Sequence, residues 1–156
     1  MPGAEKQKER GAAIRVFLAH PDGTPNVSRL KRLTRRVVDE ESWTFALSII
    51  IADDPELRRL NRLFFNSDEA TDVIAFPHDS TESEREGEES ENEIYINLDQ
   101  ARVQALGFGE TVQKALERLL VHGILHLGGW RDNTDAQRER MLKYGERYLS
   151  APKLGG

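Results

Sequence analysis

Two hydrophobic patterns alternate along the chain. Residues 27–41 carry apolar side chains three and four positions apart, which predicts an amphipathic helix with one buried face. Short runs rich in β-branched and aromatic residues predict strands at residues 13–20, 44–53, 71–77 and 92–98. The second run is almost wholly apolar toward its end, as expected of a central strand that is covered on both faces.

Four further helices are predicted between and after these strands. The first follows the second strand, with Asp54 as its N-cap and Pro55 in its first turn. The others are predicted at residues 99–106, 111–127 and 135–149. Because strands and helices alternate, we predict an α+β fold in which a single mixed sheet of about four strands packs with about five helices, in one domain over residues 1–156.

The amino-acid composition limits which covalent links, metal ligands and cellular locations this domain can have. Cysteine is absent from the 156 residues, so disulfides are excluded and a metal would have to be bound by His, Asp or Glu. Residues 1–12 are polar, lack the apolar segment of a secretory signal and are expected to be flexible. No apolar run approaches the roughly 20 residues that span a bilayer. We therefore expect a cytoplasmic protein with no membrane partner.

Charge is segregated along the chain. The net charge is −5, yet residues 78–93 hold eight acidic residues against one arginine, and we predict an acidic mobile loop at residues 78–92. Arginines cluster instead at residues 28–36 and 56–62. Each cluster fits either a solvated helix face or a surface that contacts phosphates.

The candidate metal-binding residues are concentrated in the segment VHGILHLGGWRD, residues 121–132. His122 and His126 are four residues apart, so their rings leave one face of the predicted helix one turn apart. The Gly128-Gly129 pair ends the helix and lets the chain turn back toward Asp132. Two imidazoles and a carboxylate form a three-ligand zinc set with a fourth position free, as on the metal-binding helix of zincins.

Gly123 bears on the type of reaction. In the H-E-x-x-H peptidases a glutamate beside the first histidine acts as general base, and glycine cannot take that role. A small residue here also allows another element to pack closely against the helix. Trp130, in the same segment, either packs in the core or walls the site and stacks on a base.

The segment HGILHLGGWRD resembles the signature H-G-x-L-H-L-x-G-x-D-H of the YbeY family, bacterial rRNA maturation factors and endoribonucleases. The stretches LNRLFFNSDEATDVIAFP and NEIYINLDQAR resemble two further segments of that family, in the same order and spacing. Two positions depart from the family pattern. Asp132 stands in place of the third histidine, and Phe65 stands in place of an arginine associated with activity.

The resemblance implies a zinc-dependent endoribonuclease that acts in rRNA processing and in ribosome maturation or quality control. The implied metal ligands are His122, His126 and Asp132, with one Zn²⁺ per chain, although the carboxylate could admit another divalent metal. Metal-bound water would be the nucleophile, and the sequence assigns no catalytic base. Asn61 and Arg62 are candidate substrate-binding residues. The expected partners are rRNA and a ribosomal subunit, and the oligomeric state stays open.

Two other functions remain possible at this point. Phe65 favours a non-catalytic ribosome assembly factor whose metal is structural. A metallopeptidase is the third hypothesis, and Gly123 argues against it.

Overall fold

A computed structural model describes residues 13–78 and 92–149. The strands are Ile14–Leu18 (β1), Leu47–Ala52 (β2), Val73–Phe76 (β3) and Asn92–Asn97 (β4). The helices are Val27–Glu40 (α1), Asp54–Phe65 (α2), Leu98–Phe108 (α3), Val112–Leu127 (α4) and Asp135–Leu149 (α5). The predicted flexible segment 1–12 and residues 79–91 of the predicted acidic loop lie outside the described residues.

The strands form one mixed sheet in the order β1-β2-β4-β3. The pairs β1–β2 and β2–β4 are parallel, and β3 runs antiparallel to β4. In the register of the central pair, Ile49 lies beside Ile94 and Ile51 beside Ile96. The predicted α+β class, with one mixed sheet of four strands and five helices in the part of the chain described, is confirmed.

The sheet is covered on both faces, which explains the apolar run in β2. Ile49 and Ile51 are fully buried in the main core with Ile94 and Ile96, and α1, α3, α4 and α5 contribute residues to the same core. The opposite face forms a smaller core against α2, which includes Ala52, Ile74, Leu57 and Leu60. Burial of one such large aliphatic side chain stabilises the fold by about 1.5–3 kcal/mol. None of the helices that the structure describes is long and apolar enough to cross a membrane.

The predicted N-cap of α2 is wrong by one residue. Asp53, in extended conformation, accepts a hydrogen bond from the backbone N–H of Glu56 at 3.0 Å, so Asp53 is the N-cap. Asp54 is the first helical residue, and its carboxylate instead accepts a hydrogen bond from Arg58 at 2.7 Å. Two adjacent aspartates satisfy the same preference, and only the backbone conformation distinguishes them.

Most arginines in the two sequence clusters, residues 28–36 and 56–62, form ion pairs with nearby carboxylates. On α1, Arg36 pairs with Glu40 at 3.1 Å, and on α2 Arg59 pairs with Glu56 at 2.7 Å. Other pairs join Arg29 to Glu117, Arg35 to Asp39, Arg58 to Asp54, and Arg62 to Asp68. This pattern favours solvated helix faces over a phosphate-binding surface.

Candidate metal centre

The end of α4 turns the chain back by a specific set of backbone hydrogen bonds. The N–H of Gly129 donates to the carbonyl of His126, and the N–H of Trp130 donates to the carbonyl of Leu125, each at 3.0 Å. This is the Schellman arrangement, which needs a left-handed residue just past the helix. Gly129 supplies it, with φ of 103°. The left-handed turn predicted for the glycine pair therefore belongs to Gly129, since Gly128 has an ordinary φ of −82°.

The turn brings Asp132 back onto the histidine face of α4. Its Oδ2 atom lies 3.4 Å from Nε2 of His122 and 3.3 Å from Nε2 of His126. Metal–ligand bonds of about 2.0–2.2 Å at tetrahedral angles would place neighbouring ligand atoms about 3.3–3.6 Å apart. One ligand atom from each residue lies within 4.8 Å of the other two. The three residues predicted as ligands are thus brought together with a spacing that suits one small ion.

The centre is partly open to solvent. The side chains of His122, His126 and Asp132 retain 20%, 30% and 31% of their exposure. Access on one side leaves room for a further ligand, which a catalytic site needs and a closed structural site lacks. The two imidazole rings meet edge to face, with centroids 4.7 Å apart.

The surroundings favour the neutral form of His122. Burial lowers the pKa of His122, and the neighbouring His126 lowers it further, against the opposing effects of Asp132 and Asp72. Metal ligation requires the neutral imidazole, so this environment suits a ligand. Asp72 is itself held by a 2.9 Å hydrogen bond from the side-chain amide of Gln104. A second carboxylate therefore acts electrostatically on the centre from the start of β3.

A cleft of about 410 Å³ opens beside His126, and we name it the metal-side cleft. It runs between the end of α4, β3 and α2, and its lining residues are Asn61, Phe65, Thr71, Val73, Ile74, Ala75, Pro77, His126 and Leu127. Of the two candidate substrate-binding residues, Asn61 lines this cleft, whereas Arg62 does not and pairs with Asp68 at 2.8 Å. No lysine or arginine is among the described lining residues.

Gly123 faces the sheet, which explains its small size. A Cβ atom at this position would lie 2.9 Å from Cγ2 of Ile94 and 3.3 Å from Cγ2 of Val73. The glycine thus lets α4 approach β3 and β4 closely, one of the two interpretations drawn from the sequence. A glutamate here would collide with the sheet, so the position beside the first histidine cannot hold a peptidase base without rearrangement.

Trp130 has a packing role. It packs against the main core and stacks on Tyr144 of α5, with ring centroids 4.7 Å apart. Two further residues near the turn were not singled out from the sequence. These are Trp43, which covers Gly128, and Arg140, which approaches the turn from α5. Neither belongs to a local motif, because both reach the turn only through tertiary packing.

Comparison with known proteins gives one family. The family model described as "Endoribonuclease YbeY" matches residues 21–153. The endoribonuclease YbeY of Acholeplasma laidlawii is 34% identical over 125 residues, covering 80% of this chain and 85% of the relative. That of Solibacter usitatus is 36% identical over 126 residues, covering 81% of this chain and 78% of the relative.

The fold agrees with a solved structure. The solution structure of TM1509 from Thermotoga maritima matches with a TM-score of 0.61 and 28% identity, over 87% of this chain and 86% of the other. The resemblance drawn from the sequence motifs is confirmed, and the chain belongs to the endoribonuclease YbeY family.

Proposed function

We propose that this protein hydrolyses RNA at a divalent metal ion, Zn²⁺ by preference, held by His122, His126 and Asp132. The observation that carries the proposal is the convergence of two imidazole nitrogens on one carboxylate oxygen, at 3.4 and 3.3 Å. Membership of the endoribonuclease YbeY family supplies the reaction, cleavage within an RNA chain. As the family resemblance implies, we propose rRNA as the substrate, a ribosomal subunit as the partner and the cytoplasm as the location.

The donor set fits zinc and gives it a defined part in the reaction. Two nitrogens and one oxygen are a usual zinc set, although the carboxylate oxygen also suits harder divalent ions. A bound ion would polarise a phosphoryl oxygen and lower the pKa of a water molecule toward about 7. The partial exposure of all three side chains supports an open site with one ion per chain.

The residues of this chain hold and orient the RNA around that centre. The metal-side cleft leads directly to His126, and Asn61 and Thr71 place polar groups along it. The side-chain amide of Asn61 donates to the carbonyl of Glu69 at 3.0 Å, which holds this side chain in place at the cleft. Arg62 stays a predicted phosphate contact that would first have to leave Asp68.

One residue favours the rival function, a ribosome assembly factor that uses its metal for structure. Phe65 lines the metal-side cleft at the position where the family resemblance places an arginine. An aromatic ring cannot neutralise a phosphate, so cleavage through this cleft lacks a cation on the α2 side.

The deciding experiment is a cleavage assay on precursor rRNA fragments with the full chain. The wild type should cleave, lose activity with a chelator and regain it when Zn²⁺ is restored. His126→Ala, purified in the same way, controls for contaminating nucleases and should be inactive while circular dichroism shows a folded protein. Cleavage that persists in the folded variant would contradict the metal mechanism. A wild type that binds Zn²⁺ and is stabilised by it without cleaving RNA would favour the assembly factor.

A further inference from the structure

Most arginines at the surface pair with a carboxylate, so the arginines without such a partner are candidates for binding an anionic ligand. Nine arginines of the described residues form ion pairs: Arg29, Arg35, Arg36, Arg58, Arg59, Arg62, Arg102, Arg118 and Arg138. By contrast, four arginines have no carboxylate within 4.0 Å of the guanidinium group in residues 13–78 and 92–149: Arg32, Arg131, Arg140 and Arg147. Of these, Arg131 and Arg140 line one common depression. Both side chains are exposed.

This depression, the turn cleft, has a volume of about 360 Å³. Its lining residues are Gly128, Gly129, Trp130, Arg131, Gln137 and Arg140. One wall is the turn that follows α4, and the other is the first half of α5. The cleft therefore combines two cations that have no carboxylate partner with the glycine pair of the turn.

The wall on α5 is held firmly in place. Thr134 caps the helix by accepting a hydrogen bond from the N–H of Gln137 at 3.1 Å. The side-chain oxygen of Gln137 in turn accepts from the N–H groups of Asn133 and Thr134, at 3.0 and 3.3 Å, which completes a capping box. Arg140 lies three residues after Gln137 and so shares its face of the helix. The second cation is thus presented from a rigid element.

The turn cleft adjoins the candidate metal centre through the chain itself. Arg131 directly precedes Asp132, and consecutive Cα atoms are about 3.8 Å apart. Trp130, stacked on Tyr144, fixes the turn on its other side. The lining residues 128–131 thus lie in the chain between two candidate ligands, His126 and Asp132, which places one wall of the cleft beside the centre.

We propose that Arg131 and Arg140 together bind a backbone phosphate of RNA next to the phosphate that is cleaved. Guanidinium groups match phosphate oxygens in a bidentate geometry, and two free ones at one cleft form a binding site for a single phosphodiester. The inference rests on the proposed function, because it takes RNA rather than free phosphate as the occupant. It also supplies positive charge that the metal-side cleft lacks, since that cleft holds no lysine or arginine among its described residues.

The test compares binding of a fluorescein-labelled single-stranded RNA by wild type, Arg131→Gln and Arg140→Gln, with chelator present to prevent cleavage. Each substitution should weaken binding about 10-fold. In the double variant, the slope of log K against log salt concentration should fall by the contribution of about one phosphate contact. Arg138→Gln is the matched control, because Arg138 is exposed on the same helix, pairs with Asp135 and does not line the cleft. It should change affinity less than 2-fold. The metal content of each protein as purified, measured before chelator is added, should be the same for the wild type and all variants.

The outcomes separate this inference from the proposed function. If the wild type binds RNA and both cleft variants behave like Arg138→Gln, the turn cleft is not an RNA subsite, while the nuclease proposal stands. If the variants lose binding and the wild type never cleaves, Arg131 and Arg140 bind RNA but not beside a cleaved phosphate, and the nuclease proposal falls. Inorganic phosphate that binds the wild type and not the double variant, while RNA affinity is the same in both, would identify a free-phosphate site and overturn the RNA assignment.

Discussion

The indole of Trp43 covers Gly128 so closely that a Cβ atom at position 128 would lie 2.1 Å from its Cη2 and Cζ2 atoms. Trp43 follows α1 and also stacks on Phe45, with ring centroids 5.7 Å apart. The contact thus joins the segment after α1 to the turn that carries Asp132. Position 128 requires glycine because Trp43 leaves no room for a Cβ atom. The adjacent position 129 requires glycine for a different reason, its positive φ angle.

Gly128→Ala should therefore destabilise the protein, because Trp43 must move to admit the methyl group. Overpacking of this kind costs about 1–3 kcal/mol, which urea unfolding would measure. Gly107→Ala is the control, since a Cβ atom there meets nothing within 4 Å and the residue lies in α3. The control should be neutral or stabilising by up to about 1 kcal/mol. Equal effects of the two substitutions would contradict the steric explanation.

The features that could be predicted from the sequence are those that depend on a local pattern of residues. The apolar run of β2, the histidine spacing and the glycine signal at the end of α4 each depend on neighbouring residues, and the structure has all three. The contact of Trp43 with Gly128 joins residues 85 positions apart by number, and no local pattern encodes it. The pairing of Arg36 with Glu40 was visible as a spacing of four residues, yet the cluster also fitted a phosphate-binding surface.

Asp132→Ala should release the metal. Loss of one of three ligands should lower zinc affinity by more than the 10- to 100-fold that loss of an outer-shell partner typically costs. Elemental analysis after dialysis should give close to one ion per chain for the wild type and far less for the variant. Asp135→Ala, three residues on and fully exposed, serves as the control and should retain the metal.

The same pair of variants tests the coupling of metal to stability. Zinc at 100 times its dissociation constant should stabilise the wild type by about 2.7 kcal/mol. A chelator should therefore lower the melting temperature of the wild type and of Asp135→Ala, and leave that of Asp132→Ala unchanged. A chelator effect that survives in Asp132→Ala would place the ion elsewhere.

Acid should destabilise the fold in part through Asp54. The hydrogen bond from Arg58, followed by that from Asn97, holds the pKa of Asp54 below its usual value. The pKa of Asp99 is lowered too, chiefly by the backbone N–H of Asp54, with His20 as a second partner. A carboxyl group with a lowered folded-state pKa stabilises the fold above its unfolded pKa of about 3.9. That contribution is lost as pH falls through the folded-state value.

Urea unfolding from pH 7 downward should show this loss beginning near pH 5, where carboxyl groups of the unfolded chain begin to take up protons. Asp54→Asn should be less stable than the wild type at pH 7 and should flatten the decline. Asp135→Asn, at the first turn of α5 with an arginine three residues on, is the matched control. Its curve should run parallel to that of the wild type. Parallel curves for Asp54→Asn as well would refute the assignment.

Phe65→Arg should raise RNA cleavage. Phe65 lines the metal-side cleft with 55% of its surface exposed, so an arginine there needs no burial and can reach a phosphate beside His126. A hydrogen bond to a charged group is worth about 1.5–3 kcal/mol, which predicts a rise in kcat/KM of about 10- to 100-fold. Phe64→Arg is the control, because Phe64 is 58% exposed, also packs on Phe76 and does not line the cleft. Both variants lose an aromatic contact with Phe76, so any difference in rate reports the position of the charge. If Phe64→Arg accelerates cleavage equally, a general electrostatic attraction explains the gain, and the metal-side cleft is not the path of the RNA.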